Sequence, residues 1–219
     1  MKSLGDVFRI IDEYTLYLED REFQFSAEGL PIFTKEMFLH DTPELLVPVQ
    51  HRKNRRVKNP DKTVLVFFCD DTLIYRRLDK LLDEIDMYKD YMGIVQADVT
   101  VTADMDIEWQ RAIMLLNQLV MAMFAVNGIK VVLNSRRGCK ETMDMFRYMP
   151  KGICIASGYR GASQSSKMDF SYLAKMLWFM PEKIYIYGAV DDSLCEQMLN
   201  MGLDYIIYPD FRSYCNEVA

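Results

Sequence analysis

The sequence predicts an α/β protein built on a predominantly parallel sheet of six or seven strands flanked by helices. Two observations carry this. Between residues 63 and 209 a short β-branched or aromatic run, a polar or glycine stop and a helical pattern succeed one another six times. The runs are apolar on both faces, which suits strands of a parallel sheet covered on both sides. Six units are too few for a standard eight-fold barrel, which leaves an open three-layer sheet or an incomplete barrel.

Residues 4–25 place Leu4, Val7, Phe8, Ile11, Tyr14, Leu18 and Phe25 at helical spacing opposite an acidic face. The chain therefore starts with one amphipathic helix or two short ones, an N-terminal helical segment over 1–28. A single α/β domain follows over 29–219. Glu28-Gly29-Leu30-Pro31 forms a turn, and 31–34 can add a seventh, edge strand. Pro43, Pro48 and Pro60 then punctuate an extended stretch, within which the basic run 51–58 reads as a mobile surface loop over 50–62.

The strand runs are 64–69, 93–97, 129–133, 152–156, 183–187 and 204–208. Helices follow at 73–90 (capped by Asp71-Thr72), 106–127 (capped by Asp104, stopped by Asn127-Gly128), 140–148, 168–180 and 193–201 (stopped by Gly202). Two of them are unusual. Between Ala112 and Val126 only Asn117 and Gln118 are polar, and 170–180 is nearly as apolar. A helix lying on a sheet needs one apolar face, so these two are either deeply buried or form a homodimer interface.

Composition narrows the classes. Net charge is −6, which excludes a nucleic-acid-like basic field over the whole molecule. The charge is uneven, because residues 51–62 hold six Lys/Arg and one Asp. That run lacks interleaved aromatics and reads as solvated, leaving nucleic acid a weaker partner class. Five cysteines without a Cys-x-x-Cys pair fit a reduced compartment. Met1-Lys2-Ser3-Leu4-Gly5-Asp6 is unlike a signal peptide, and the apolar stretch 112–126 is short for a bilayer. A cytoplasmic protein without a membrane partner is expected.

Ligands of open α/β sheets and of barrels sit at the carboxyl ends of the strands. The stops found there are the candidate site. Asp70 and Asp71 end one strand run and Asp98 the next. If those strands are neighbours, three carboxylates meet and suit Mg²⁺ or Mn²⁺, hard ions that take oxygen ligands and can clamp a phosphoryl oxygen. Against this stands the use of the same acids as helix caps and turn residues. Asn134 and Arg136 follow the third run, and Arg136 could grip a phosphate bidentately. Ser157, Gly158, Arg160 and Gly161 belong to a loop rich in glycine, hydroxyls and cations that suits an anion, although it matches neither dinucleotide nor Walker patterns. Tyr187 and Gly188 close the set. The two histidines, His40 and His51, lie in the N-terminal part, so histidine-based nucleophilic catalysis has little support.

Several short motifs occur in order: Gly29-Leu30-Pro31-Ile32-Phe33-Thr34-Lys35-Glu36-Met37-Phe38, Asp70-Asp71, Gly93-Ile94 through Asp98-Val99-Thr100, Asp104-Met105, Gln110, Gly128-Ile129-Lys130-Val131, Asn134-x-Arg136-x-Gly138, Glu141-Thr142, Pro150-Lys151 and Tyr187-Gly188. Together they resemble a bacterial and phage domain-of-unknown-function family, number forty-four-seventeen, over residues 29–212. The chain departs from it at Gly138-Cys139, where members carry Gly-Asp, and at Leu116-Asn117-Gln118, where they carry Arg-x-Arg. The resemblance implies a mobile-element context and names no reaction. Two function classes are therefore expected. One is a metal-dependent enzyme acting on a phosphorylated small molecule or nucleotide through Asp70, Asp71 and Asp98. The other is a non-catalytic accessory protein binding a ligand, nucleic acid or a host protein.

Overall fold

The structure, a computed structural model, describes residues 3–134, 136, 138–158, 177–190 and 192–217. Among the described residues seven strands are formed: β1 Leu45–Pro48, β2 Thr63–Val66, β3 Gly93–Val95, β4 Val131–Asn134, β5 Cys154–Gly158, β6 Lys183–Tyr187 and β7 Tyr205–Tyr208. The helices are α1 Leu4–Asp20, α2 Asp71–Leu78, α3 Leu81–Glu84, α4 Ile107–Val126, α5 Asp192–Asn200 and α6 Phe211–Glu217. Every strand pairs in parallel with its predecessor, so the order in the sheet is the order in the chain.

Side-chain alternation shows how this sheet curls. Leu46, Val64, Val66, Val95, Val132, Cys154, Ala156, Tyr185, Tyr187 and Tyr208 pack into one buried cluster drawn from all seven strands. Their alternates, among them Leu65, Ile94, Leu133, Ile155 and Ile184, belong to a second cluster with the helices. Because strand side chains alternate between faces, a buried cluster fed by every strand and by no helix is the inside of a wrapped sheet. The sheet is thus nearly closed, and the incomplete barrel is the architecture formed.

The seam between β1 and β7 is bridged by other groups. The Tyr208 hydroxyl donates to the Pro43 carbonyl at 2.8 Å, and α6 packs beside β1, where the His51 ring stacks on Phe211 at 5.3 Å. The amino ends of the strands are crossed by residues 38–43. Leu39 donates its N–H to Val131 O at 2.9 Å and inserts into the interior cluster. The Tyr185 hydroxyl donates to Asp41 O at 3.1 Å, His40 bonds Glu182 at 2.8 Å, and the Lys183 ammonium donates to Thr42 Oγ1 at 3.2 Å.

The seventh strand is 45–48. The 31–34 segment contributes a single bridge between Pro31 and Phe25. Pro48 suits β1 because the strand lies at the sheet's edge, where a missing N–H leaves no ladder bond unmade. His51 consequently follows a sheet strand directly instead of lying away from the sheet. The 50–62 loop is also tied down: Arg52 is 7% exposed, donates to Val49 O at 3.0 Å and pairs with Glu84 at 3.5 Å. The 73–90 helix is divided into α2, α3 and a 3₁₀ turn over 85–88, with Leu78, Leu81, Ile85 and Tyr88 keeping one face in the core.

Helix α4 shows why a nearly all-apolar helix forms here. Asp106, rather than Asp104, caps it, accepting from the amides of Glu108 at 2.9 Å and Trp109 at 3.3 Å. It lies between the barrel and α1, whose Val7, Ile10, Tyr14 and Leu18 belong to the same core. Phe124 meets Phe67 of the β2 run at 6.3 Å and Tyr88 at 5.2 Å. α4 is long and apolar enough to cross a bilayer by composition, yet 72% of that stretch is buried inside the fold. The apolar circumference that suggested a dimer face is therefore covered within the chain. Asn117 finds both its partners there, accepting from Val99 N and donating to Val99 O at 3.2 Å each, and Gln118 donates to Met145 O at 2.8 Å. Of the other apolar helix, 168–176 lies outside the described residues.

Candidate functional site

After β2 the chain runs through Phe67, Phe68 and Cys69 to Asp70, the residue preceding α2. Neither aspartate caps this helix through its side chain in the expected way: Asp70 makes no side-chain cap bond. Asp71 instead turns to the next loop, where its Oδ1 accepts from Thr100 N at 3.1 Å and Thr100 Oγ1 at 3.0 Å. This pair pins the segment following β3 to the start of α2.

β2 and β3 are neighbours, so Asp98 is brought to the same end of the barrel. Its carboxylate is 11% exposed. Oδ1 accepts from Asn134 Nδ2 at 2.7 Å and from Arg136 Nε, and Oδ2 accepts from Arg136 Nη2 at 3.1 Å. Asn134 also receives the Arg136 amide on its Oδ1 at 3.2 Å and gives its own amide to Gln96 Oε1 at 3.2 Å. Two adjacent strand ends are thus sewn together by a polar chain running Gln96, Asn134, Asp98, Arg136. Burial raises the Asp98 pKa and outweighs the lowering by Arg136 and Asn134, while Asp71 is close enough to push it further up. The same acids surround Cys69, whose thiol is pushed up to about 12 by burial first and then by Asp70, Asp98 and Asp71.

The surrounding residues hold this geometry. Gln110 of α4 accepts from Cys139 N at 2.7 Å and donates to Met105 O at 2.7 Å, clamping the loops after β3 and β4 to each other. Gly138 is required at that clamp, since a Cβ there would lie 1.9 Å from Gln110 Oε1 and 2.9 Å from Val101. Asn117 fixes Val99, directly after Asp98. Gln96, Ala97, Met114, Asn117, Arg136 and Phe146 line a crevice with about 10 Å³ of free space, at the lower limit for one water.

The rest of the expected set is placed as follows. Ser157 and Gly158 end β5 in register with Ile186 and Tyr187. Gly158 faces the barrel interior, where a Cβ would sit 2.8 Å from the Phe68 ring. Phe68 lies 5.8 Å from the Tyr187 ring, and these two aromatics close the top of the interior. The Tyr187 hydroxyl accepts from Phe211 N at 2.9 Å, which ties β6 to α6. Gly188, at φ 97, donates to Tyr208 O at 2.9 Å in a conformation that favours glycine. Arg160 and Gly161 lie outside the described residues, as do Ser135 and Arg137.

Sequence reading gave no site role to Gln96, Gln110 or Asn117, although each is buried: 4%, 1% and 5% exposed. A signal was available, for a polar amide inside an apolar strand or helix must find partners.

Among the described residues no group of three or more His, Cys, Asp or Glu is placed to hold a metal ion. The donor set agrees with that. Both Asp98 oxygens receive Arg136 or Asn134 donors, and one Asp71 oxygen receives Thr100. A divalent ion at Asp98 would also stand beside a guanidinium. As arranged, Asp98 offers no open oxygen to Mg²⁺ or Mn²⁺, and Asp71 has one oxygen already engaged.

Fold and site together define a nearly closed parallel α/β barrel with a charged, hydrogen-bonded cleft at the carboxyl ends of β3 and β4. Comparison with protein-family models, with curated proteins and with solved structures returned no match.

Proposed function

We propose that the protein binds a small anionic ligand of the phosphorylated class at the carboxyl ends of β3 and β4, with Arg136 as the group that grips the anion. The observation that carries this is the Asp98–Asn134–Arg136 cluster. Arg136 presents a planar fork of donors, and Asp98 takes Nε and Nη2. Nη1 donates to no described residue, and the side chain is 33% exposed. A guanidinium already oriented by a buried carboxylate loses less freedom on binding than a free one. Asp98 and Asn134 act as positioning residues, and Gln110 and Asn117 support the loops that carry them. A ligand that drew Arg136 outward would leave Asp98 as a buried carboxylate with a raised affinity for a proton, the starting condition for base catalysis.

The test is calorimetric titration with inorganic phosphate, pyrophosphate, a sugar phosphate and a nucleoside monophosphate, each with and without Mg²⁺. Arg136→Gln is expected to lose at least about tenfold in affinity, the scale of one charge-assisted contact. Asp98→Asn should weaken binding less. Equal affinity in Arg136→Gln and wild type sinks the proposal. Binding seen only with Mg²⁺, and lost in Asp70→Asn, would instead favour the metal-assisted enzyme built on Asp70, Asp71 and Asp98.

A further inference from the structure

The β1–β2 loop carries charge that the cleft does not use. Residues 51–62 hold six Lys/Arg and one Asp in a chain of net charge −6. The fold sorts those cations into two kinds. Arg52 is buried and holds the loop down, its guanidinium on Val49 O and Glu84 and its carbonyl accepting from the Tyr91 hydroxyl at 2.8 Å. Lys62 pairs with Glu44 at 2.8 Å. Lys53, Arg55, Arg56 and Lys58 have no carboxylate partner among the described residues, and all but the half-buried Arg56 are exposed. They do not sit on a slack tether. Asn54 N donates to His51 O at 2.8 Å, Val57 N to Asn54 O at 2.9 Å, and Arg56 N to Asn54 Oδ1 at 3.0 Å. Four uncompensated cations within six residues are thus held on a turned frame whose one apolar member, Val57, packs against the core.

We infer that this loop is a docking surface for the phosphate backbone of a single-stranded nucleic acid. Like charges crowded without a counter-charge repel, and a polyanion relieves that repulsion while releasing its own counterions. The surface offers no apolar anchor to other partner classes. Membrane insertion needs exposed apolar side chains beside the cations, and a stable protein interface needs an apolar centre. Val57, which could have served either, is turned inward. Single strands are favoured by what the fold adds at the loop's start. His51 is exposed and stacks on Phe211 at 5.3 Å, with Tyr214 behind it at 6.1 Å. The sequence shows no aromatic within the basic run, but the fold supplies one exposed ring beside it, His51 backed by the buried Phe211, on whose open face an unpaired base can stack.

The experiment is fluorescence anisotropy of a labelled oligothymidylate with the full chain at increasing salt. Binding is expected at low salt, with log affinity falling against log salt at a slope of about −3, four cations at roughly −0.7 each. The variant Lys53→Ser/Arg55→Ser/Arg56→Ser/Lys58→Ser should lose binding and keep its melting temperature, since none of the four has a carboxylate partner among the described residues. Should that variant melt early, the single reversal Arg55→Glu, expected to weaken binding about tenfold, carries the test. His51→Ala should weaken binding without changing the slope. Arg136→Gln should leave it unchanged, which separates this surface from the cleft. No affinity at low salt overturns the inference. So does an unchanged slope in the quadruple variant, or equal affinity for polyglutamate or phosphatidylserine vesicles.

Discussion

The two ends of the barrel are built from the same seven strands and held in opposite ways. At the amino end, residues 38–43 cross the opening and are fixed largely by tyrosine hydroxyls and amides on main-chain carbonyls: Tyr185 on Asp41, Tyr208 on Pro43, Leu39 on Val131. At the carboxyl end, charged and amide side chains bond one another: Asp98 with Arg136 and Asn134, and Asp71 with Thr100. The first kind of closure couples distant chain segments mainly through neutral donors. The second places reactive groups on neighbouring loops, and its strength depends on charge. Stability should therefore be concentrated at the amino end, and ligand response and loss of stability with rising pH at the carboxyl end.

The largest effect is expected from emptying the interior near the amino end. Tyr185 is fully buried, packs edge-on against Tyr208 at 5.9 Å and bonds Asp41 O. Tyr185→Ala should cost about 3–5 kcal/mol in urea denaturation. Truncation at the other end, Asp98→Ala, removes charge-assisted bonds at a partly open site and should cost about 1.5–3 kcal/mol. Equal costs would erase the contrast.

Rising pH should sharpen it. Burial raises the Asp98 pKa in the folded state, so over the window between the unfolded and the higher folded value the folded chain binds more protons. The contribution of Asp98 to stability is then greatest below the unfolded carboxylate value and falls as pH rises through the folded one. Asp98→Asn should flatten that fall, read from urea midpoints over a pH series. Unchanged pH dependence would mean that another group sets it.

Smaller effects belong to single hydroxyls and surface pairs. Tyr208→Phe removes the bond to Pro43 O across the seam and should cost about 1 kcal/mol, leaving affinity for phosphate untouched. Burial pushes the Tyr208 hydroxyl up to about 12, so this link persists well into alkaline conditions. His40, raised chiefly by its hydrogen bond to Glu182, stabilises the crossing segment below its unfolded pKa, and that contribution disappears as pH rises through the folded one. The pair is exposed, so His40→Ala should cost only a few tenths of a kcal/mol at low pH and nothing measurable at high pH.

Much of this arrangement was legible in residue patterns. The six strand runs from 64 onward all fall on strands, because a β-branched segment apolar on both faces has few stable placements other than a covered parallel sheet. The stops Asp98, Asn134 and Gly188 mark their ends for the same reason. β1 was illegible as a strand because two prolines frame it, and only its position at the sheet edge makes Pro48 harmless. The pairing of Asp98 with Arg136 was equally hidden. Thirty-eight residues separate the two, and nothing local to either specifies the other.

The sequence alone thus determined the rhythm of elements, the apolarity of α4 and the row of polar residues at the strand ends, since these follow from periodicity and side-chain chemistry within a few residues. Tertiary structure decided which architecture the strands adopt, that α4 lies under α1, and which acids are already engaged. It also separated the anchoring Arg52 from the exposed cations around it. Those outcomes depend on contacts between residues tens of positions apart, where the energy of a pairing is set by burial and geometry that only the folded chain creates.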